Sequence, residues 1–186
     1  MTTTARIPLE HPDTLFNRAV TWWSRRRFGA VLEPGLALMH HRRVLLSTGR
    51  FEMSVERWRT LDPGLKDLAV AAVSAQIGCS WCMDYGYYLA RNRGMDPAKL
   101  RHLADWRSSE LYSPLERRVL EYAEAMTATP PEVTDDMVAG LRLDLTDEQL
   151  VELTAMISLE NQRSRTNSAL GLTSQGFKDH CEVAVR

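Results

Sequence analysis

Helix start signals are the feature that most constrains how this chain folds. Three dipeptides place a capping side chain before a proline at the first helical position: Asp62-Pro63, Asp96-Pro97 and Ser113-Pro114. A glutamate or glutamine three residues after the cap completes a capping box in Ser113–Glu116 and in Thr146–Gln149. Starts repeated at this density predict many short helices.

The spacing of apolar residues between these starts is also helical. Leu150, Leu153 and Ile157 recur on one helical face, and sustained apolar–polar alternation typical of strands is absent from the sequence. The chain is therefore predicted to be all-α. The predicted helices are 13–29, 34–48, 51–59, 63–77, 80–93, 97–106, 114–128, 134–142 and 146–168.

Length and charge limit the classes of function. The 186 residues suffice for one buried core, and the proline-containing break at 127–133 is too short for a linker, so residues 1–186 are predicted to form one domain. A net charge of −1 argues against nucleic acid or an acidic membrane as partner. No apolar stretch is long enough to span a bilayer, and the first residues lack signal-peptide features, so we expect a cytoplasmic protein.

The stretch "GCSWCMDYGYYLA", residues 78–90, carries the chemistry. Gly78 is typical of a helix end, which puts Cys79 at a helix junction and Cys82 in the first turn of the next helix. Unpaired amides at a helix start favour a thiolate, and the short spacing allows a disulfide to close. One cysteine is then expected to attack a peroxide or disulfide, and the other to resolve the product.

Two other interpretations of the cysteines stay open. Cysteines also fill helix junctions as small, unreactive core residues. As zinc ligands they would need two further partners, and His180-Cys181 is the pair that the sequence offers. We expect neither metal nor cofactor.

The string "KDLAVAAVSAQIGCSWCMDYG" resembles the signature of the AhpD-like, or carboxymuconolactone decarboxylase, superfamily. "ENQRSRTNSALGLTSQGF", residues 160–177, resembles the closing segment of members with a CSWC-type motif. The resemblance covers about residues 60–177 and implies a multi-helix orthogonal bundle, with 1–60 as a helical N-terminal extension. It also implies a homo-oligomer, as a dimer, trimer or hexamer.

The resemblance further implies roles for individual residues. Members with thiol peroxidase activity use the distal cysteine as peroxidatic and the proximal one as resolving, which correspond to Cys82 and Cys79. Their relay glutamate corresponds to Asp67 in this chain. Their two relay histidines correspond to Trp81 and Gly86, so both imidazoles are missing. This departure puts the family's standard relay in doubt.

Other groups near the motif are candidates to replace the imidazoles. Asp84 and Tyr85 follow the cysteines directly. Asp84 is a candidate for proton transfer, although it equally fits a capping role for amides in the first turn, and Tyr85 is a candidate to move protons or to stabilise the thiolate or substrate. Tyr85 also fits a plain packing role. Trp81 is expected to shield the cysteines or to line an apolar substrate pocket.

A polar face on the last long helix is the second candidate. Glu160, Arg163 and Asn167 are spaced three and four residues apart, so they share one face. If that face meets the cysteines, Arg163 and Asn167 stabilise a Cys82 thiolate or bind an anionic substrate. The alternative is a solvated salt-bridge face.

The sequence thus favours a thiol-dependent oxidoreductase that reduces a small hydroperoxide or a disulfide and is recycled by a dithiol reductant protein. A first alternative is a decarboxylase-like enzyme acting on a small cyclic acid, with Arg163 and Arg165 as the cationic clamp. A second is a non-catalytic, redox-sensing helical module.

Overall fold

A computed structural model describes residues 5–179, and within them the secondary structure is helical without strands. The helices are α1 Leu15–Phe28, α2 Glu33–Met39, α3 Arg42–Val55, α4 Pro63–Ile77, α5 Ser80–Asn92, α6 Pro97–Arg101, α7 Pro114–Thr127, α8 Asp135–Leu141 and α9 Asp147–Ala169, with a 3₁₀ turn at Leu103–Asp105. The all-α prediction is confirmed. None of the helices in this part of the chain has the length and apolar character needed to cross a bilayer.

The predicted start signals act as caps. Asp62 Oδ1 accepts the amides of Gly64 and Leu65 at 2.8 and 3.1 Å, where α4 begins. Ser113 and Glu116 form the reciprocal capping box at the start of α7. These side chains satisfy amides that the helix itself leaves unpaired, so the positions of the helix starts are fixed locally.

Two predicted helix bounds are wrong. The break expected near residue 50 lies instead at His40 and His41, between α2 and α3. There the His41 ring Nδ1 accepts the Val44 amide at 3.3 Å and caps α3. Histidine is not among the residues preferred at this capping position, so the sequence pattern does not predict this helix start. The helix predicted at 97–106 ends at Arg101, and a 3₁₀ turn follows that leads into the buried Trp106.

Chain contacts divide the described residues into two compact units. One contains α1–α3, in the described residues up to Arg57, together with Ala169–Leu172; the other contains Trp58–Ser168 and the described residues from Thr173 onward. A single domain therefore remains a prediction. In the second unit α4 packs against α5 and α7, and its Leu68, Ala69 and Val73 are fully buried.

A buried carboxylate ties α9 to the start of α4. Glu152 Oε2 accepts the amides of Thr60 and Leu61 at 2.8 and 3.2 Å, and Glu152 Oε1 accepts from Lys66 Nζ at 2.6 Å. Burial alone would raise the pKa of Glu152, but the Lys66 ammonium and the two amides outweigh it and lower the pKa. This contact holds α9 alongside α4, the helix that leads into the cysteines.

Truncating a core residue of α9 should be costly, whereas truncating an exposed one should not. Leu153 is fully buried and Val151 is 68% exposed on the same helix. We expect Leu153→Ala to lower the free energy of unfolding by about 2–5 kcal/mol. Val151→Ala is expected to stay within about 0.5 kcal/mol of the parent in urea denaturation. Equal effects of the two substitutions would contradict the packing of α9 described above.

Candidate functional site

The junction between α4 and α5 is built around Gly78. Its φ of 77° lies in the left-handed region, which favours glycine, and its amide donates to the Ser74 and Ala75 carbonyls at 3.0 and 3.2 Å. The chain therefore leaves α4 sharply and enters α5 only two residues later. Cys79 occupies the capping position of the new helix.

Cys79 and Cys82 form a disulfide, with their Cα atoms 5.3 Å apart. The Cys82 amide donates to Cys79 Sγ at 3.2 Å, so the amide contact at the helix start is made with the first cysteine. Both side chains are buried, with exposed fractions of 1% for Cys79 and 5% for Cys82.

Cys82 meets a different donor. Asn167 Nδ2, on α9, lies 3.4 Å from Cys82 Sγ, and Asn167 is itself buried. The polar face predicted on the last helix therefore reaches the cysteine pair at Asn167. A side-chain amide of this kind can donate a hydrogen bond to a thiolate.

Arg163 lies on the same face of α9. Its Nη1 is 3.3 Å from Glu160 Oε2, so the predicted arginine is paired with a carboxylate of its own helix. Glu160 is only 3% exposed, and a solvated salt-bridge face therefore does not describe this surface. A contact of Arg163 with a Cys82 thiolate stays a prediction.

Asp84 anchors a segment near the end of the chain. Its Oδ2 accepts the amides of Gln175 and Phe177 at 2.9 and 3.1 Å, and its Oδ1 accepts the Lys178 amide at 2.8 Å. Asp84 thus binds backbone amides, but those of residues 173–178, here called the strap, rather than those of its own first turn. Its predicted part in proton transfer stays a prediction.

Aromatic side chains of α5 pack under the strap. The Trp81 indole donates to Gln175 Oε1 at 2.8 Å, and Phe177 meets the Tyr85 ring edge-on with 5.0 Å between ring centroids. The ring centroids of Trp81 and Tyr85 are also 5.0 Å apart. Trp81 is itself buried, with an exposed fraction of 8%, and its predicted shielding of the cysteines stays a prediction.

Asp67 lies away from the cysteines. It is twelve residues before Cys79, or about 18 Å along a straight helix axis, and it pairs with Arg93 beyond the last turn of α5. Burial raises the pKa of Asp67, although Arg93 opposes this effect. Asp67 Oδ2 has no hydrogen-bond partner among the described residues. Its place in a relay with the cysteines stays a prediction.

Several site residues escaped the sequence analysis. Gln175 and Phe177 fall in a segment without helical periodicity, and Ser74 and Ser164 are fully buried hydroxyls within helices. A serine at a core-facing position of an apolar helix is a usable signal, since buried hydroxyls need partners. His180 and Cys181, considered as zinc ligands, lie outside the described residues.

Comparison with known proteins defines the family. The family model described as Carboxymuconolactone decarboxylase family matches residues 45–125. The chain belongs to this family. It is also similar to YnjA, an uncharacterized protein of Escherichia coli strain K12, with 36% identity over 164 residues that cover 88% of this chain and 90% of YnjA.

Solved structures share the fold. An uncharacterized peroxidase-related protein from Ralstonia eutropha JMP134, described as an alkylhydroperoxidase AhpD core, gives a TM-score of 0.81 at 20% identity, over 95% of this chain and 96% of that one. A cysteine-to-alanine variant of the debrominase Bmp8, in complex with 2,3,4-tribromopyrrole, gives 0.79 at 17% identity, over 98% and 97%. The fold is therefore AhpD-like, as predicted.

Releasing the strap is a test of its anchor. Asp84→Asn replaces one acceptor oxygen with an NH₂ group that faces backbone amides, which should cost about 1–3 kcal/mol of stability. Amide hydrogen exchange at Gln175, Phe177 and Lys178 should accelerate. The exposed Asp105→Asn serves as the matched control and should change neither quantity. Unchanged exchange in Asp84→Asn would refute the anchoring role.

Proposed function

We propose that this protein is a thiol-dependent oxidoreductase that cycles Cys79 and Cys82 between dithiol and disulfide. The observation that supports this most directly is the disulfide at a capped helix start, with one donor on each sulfur. Its substrate is a small hydroperoxide or a disulfide, and a dithiol protein returns the pair to the reduced state. Membership in a family with AhpD-like structures is consistent with this chemistry.

The peroxide reaction balances with these two residues. A Cys82 thiolate attacks the terminal peroxide oxygen, the O–O bond breaks, and the alcohol leaves with a proton, so Cys82 becomes a sulfenic acid. The Cys79 thiol then attacks Cys82 Sγ, the S–O bond breaks, and water leaves as the disulfide forms. The substrate gains the two electrons that the cysteines lose.

The aromatic surroundings bear on the substrate. Trp81, Tyr85 and Phe177 contact one another beside the cysteine-bearing turn of α5 and would favour an apolar organic group over free hydrogen peroxide. The tribromopyrrole complex of Bmp8 concerns a small aromatic ring bound by a protein of the same fold. We therefore favour aromatic or alkyl hydroperoxides as substrates.

The decarboxylase-like alternative finds less support. It requires cations that converge on a substrate carboxylate, and the two candidates have other partners. Arg163 pairs with Glu160, and Arg165 Nη2 donates to the Thr127 carbonyl at 3.1 Å. The third possibility is a redox-sensing module. It differs from the proposed enzyme in that it does not turn over substrate, so a measurement of catalysis distinguishes the two.

Substituting each cysteine separates these functions. Cys82→Ser should reduce the consumption of cumene hydroperoxide, with dithiothreitol as reductant, to the rate without protein. Cys79→Ser should still form one sulfenic acid per chain, trapped by dimedone and seen as an added mass, yet fail to turn over. Cys181→Ser is the matched control and should keep parental activity. Equal consumption by the parent and the Cys79→Ser/Cys82→Ser double variant would exclude the proposal.

A further inference from the structure

A buried carboxylate outside the expected relay lies beside the cysteine junction. Glu160, on α9, has its Oε1 3.0 Å from Ser74 Oγ and 2.8 Å from Ser164 Oγ. Both serines are fully buried, so the cluster is closed to water. A carboxyl group in such a place has a use only if its hydrogen bonds or its proton serve something nearby.

The cluster of Glu160, Ser74 and Ser164 leads to the cysteine pair from two helices, α4 and α9. The carbonyl of Ser74 accepts the Cys79 amide at 3.0 Å. On α9, Asn167 lies seven residues after Glu160 on the same face and contacts Cys82 Sγ at 3.4 Å, with Ser164 between them. Glu160 is thus linked to the Cys79 backbone through Ser74, and it shares a face of α9 with Ser164 and with Asn167, the residue that contacts Cys82.

The hydroxyl geometry accommodates a proton on Glu160. Ser74 Oγ lies 2.8 Å from the Val70 carbonyl as well as 3.0 Å from Glu160 Oε1. A hydroxyl has one proton to donate, and a carbonyl only accepts. When Ser74 donates to Val70, the contact with Glu160 is a hydrogen bond only if the carboxyl group is protonated.

Burial also favours the protonated form of Glu160. It raises the pKa of Glu160, against the opposing effects of Arg163 and the two serine hydroxyls. Arg163 is the charged group that acts on Glu160 from its own helix. The carboxylates that α9 and α4 carry elsewhere, Glu152 and Asp67, are paired with Lys66 and Arg93.

Among the described residues, no charged side chain of another helix forms a hydrogen bond or an ion pair with Glu160. From α5, Asp84 is bound to the strap amides. From α7, the Tyr122 and Thr127 hydroxyls bind Thr154 and Asn161 on α9, and the Thr127 carbonyl accepts from Arg165. The protonation of Glu160 is therefore set by burial, Arg163 and the hydroxyls.

We propose that Glu160 holds the proton that the cysteine pair exchanges in its redox cycle, as a positioning residue that acts through Ser164 and Ser74. It takes the part of the imidazoles that Trp81 and Gly86 replace. An added Cβ at Gly86 would lie 4.0 Å from Val70 Cγ1, so the lost imidazole position also faces α4. The inference rests on the proposed function.

The proposed proton transfer takes place when the disulfide is reduced. A reductant thiolate attacks one sulfur, the Cys79–Cys82 bond breaks, and the departing sulfur takes the proton from Glu160, relayed by the Ser164 hydroxyl. The second reductant thiol then closes the reductant's own disulfide, which releases the second cysteine. The reductant loses two electrons and two protons, and the pair gains both. One of those protons passes through Glu160, which ends protonated again.

The test is the rate at which dithiothreitol reduces the disulfide, divided by the concentration of dithiothreitol thiolate at each pH. In the parent, this normalised rate should fall as pH rises through the pKa of Glu160, because the proton donor is lost. Glu160→Gln should be slower by about 10²-fold at low pH, the lower end of what acid catalysis contributes, and pH-independent. Glu160→Asp should restore the pH dependence.

Matched variants separate this role from a structural one. Glu152→Gln changes a buried carboxylate of the same helix that is paired with Lys66, and should keep the parental pH profile. Ser164→Ala removes the relaying hydroxyl and leaves the carboxyl group, so it should slow reduction as Glu160→Gln does. If Glu160→Gln and Ser164→Ala both keep the parental rate and profile, the proposal is overturned, even where peroxide consumption continues.

Urea denaturation of the oxidised protein gives a readout independent of reactivity. A carboxyl group whose pKa is raised by folding stabilises the protein at low pH, and this stability is lost as pH rises through the folded-state pKa. The parent should therefore lose stability relative to Glu160→Gln as pH rises from the ordinary carboxyl pKa to the raised pKa of Glu160. A constant difference would overturn the proposal. Loss of peroxide turnover in the parent, with the reduction profile intact, would instead refute the proposed function alone.

Discussion

The reversal of the chain at Gly78 and Cys79 is the constraint on which the site depends. Because Gly78 adopts a left-handed conformation, carbonyls of the last turn of α4 accept the Gly78 and Cys79 amides while Cys79 already caps α5. The two cysteines lie three residues apart at the start of α5, with their Cα atoms 5.3 Å apart. The disulfide therefore closes within the first turn of one helix and does not cross-link α4 to α5.

The buried sulfurs divide their polar contacts among distant parts of the chain. Cys79 uses the backbone of its own turn, whereas Cys82 receives its donor from Asn167, 85 residues away in sequence. The strap adds a third element, fixed to Asp84 and Trp81. The surroundings of the cysteine pair are consequently set by tertiary structure, since α9 contacts Cys82 and the strap binds the α5 residues beside it.

Features that depend on contacts between residues close in sequence could be predicted, whereas features that depend on distant residues could not. The starts of α4 and α7 were predictable because Asp62 and Ser113 cap amides two or three residues away. The α2–α3 break was not, because it depends on a histidine cap and on His40 bonding to the Pro8 carbonyl at 2.6 Å. The cysteine pair was visible as a motif, but its contacts with Asn167 and the Ser74–Glu160 bond join residues that no local pattern relates.

The loss of two imidazoles does not require the loss of proton transfer. Histidine serves redox cysteines because its pKa lies near neutrality without any help from the protein. A carboxyl group reaches the same range only when burial penalises its charge, which requires a site closed to water and hydroxyls to hold the proton. Burial raises the pKa of Glu160, and the Ser74 and Ser164 hydroxyls lie within hydrogen-bond distance of its carboxyl group. If Glu160 holds the exchanged proton as proposed, α9 supplies both the Cys82 contact and the acid, whereas the two histidine positions of the AhpD-type motif, Trp81 and Gly86 here, lie on α5.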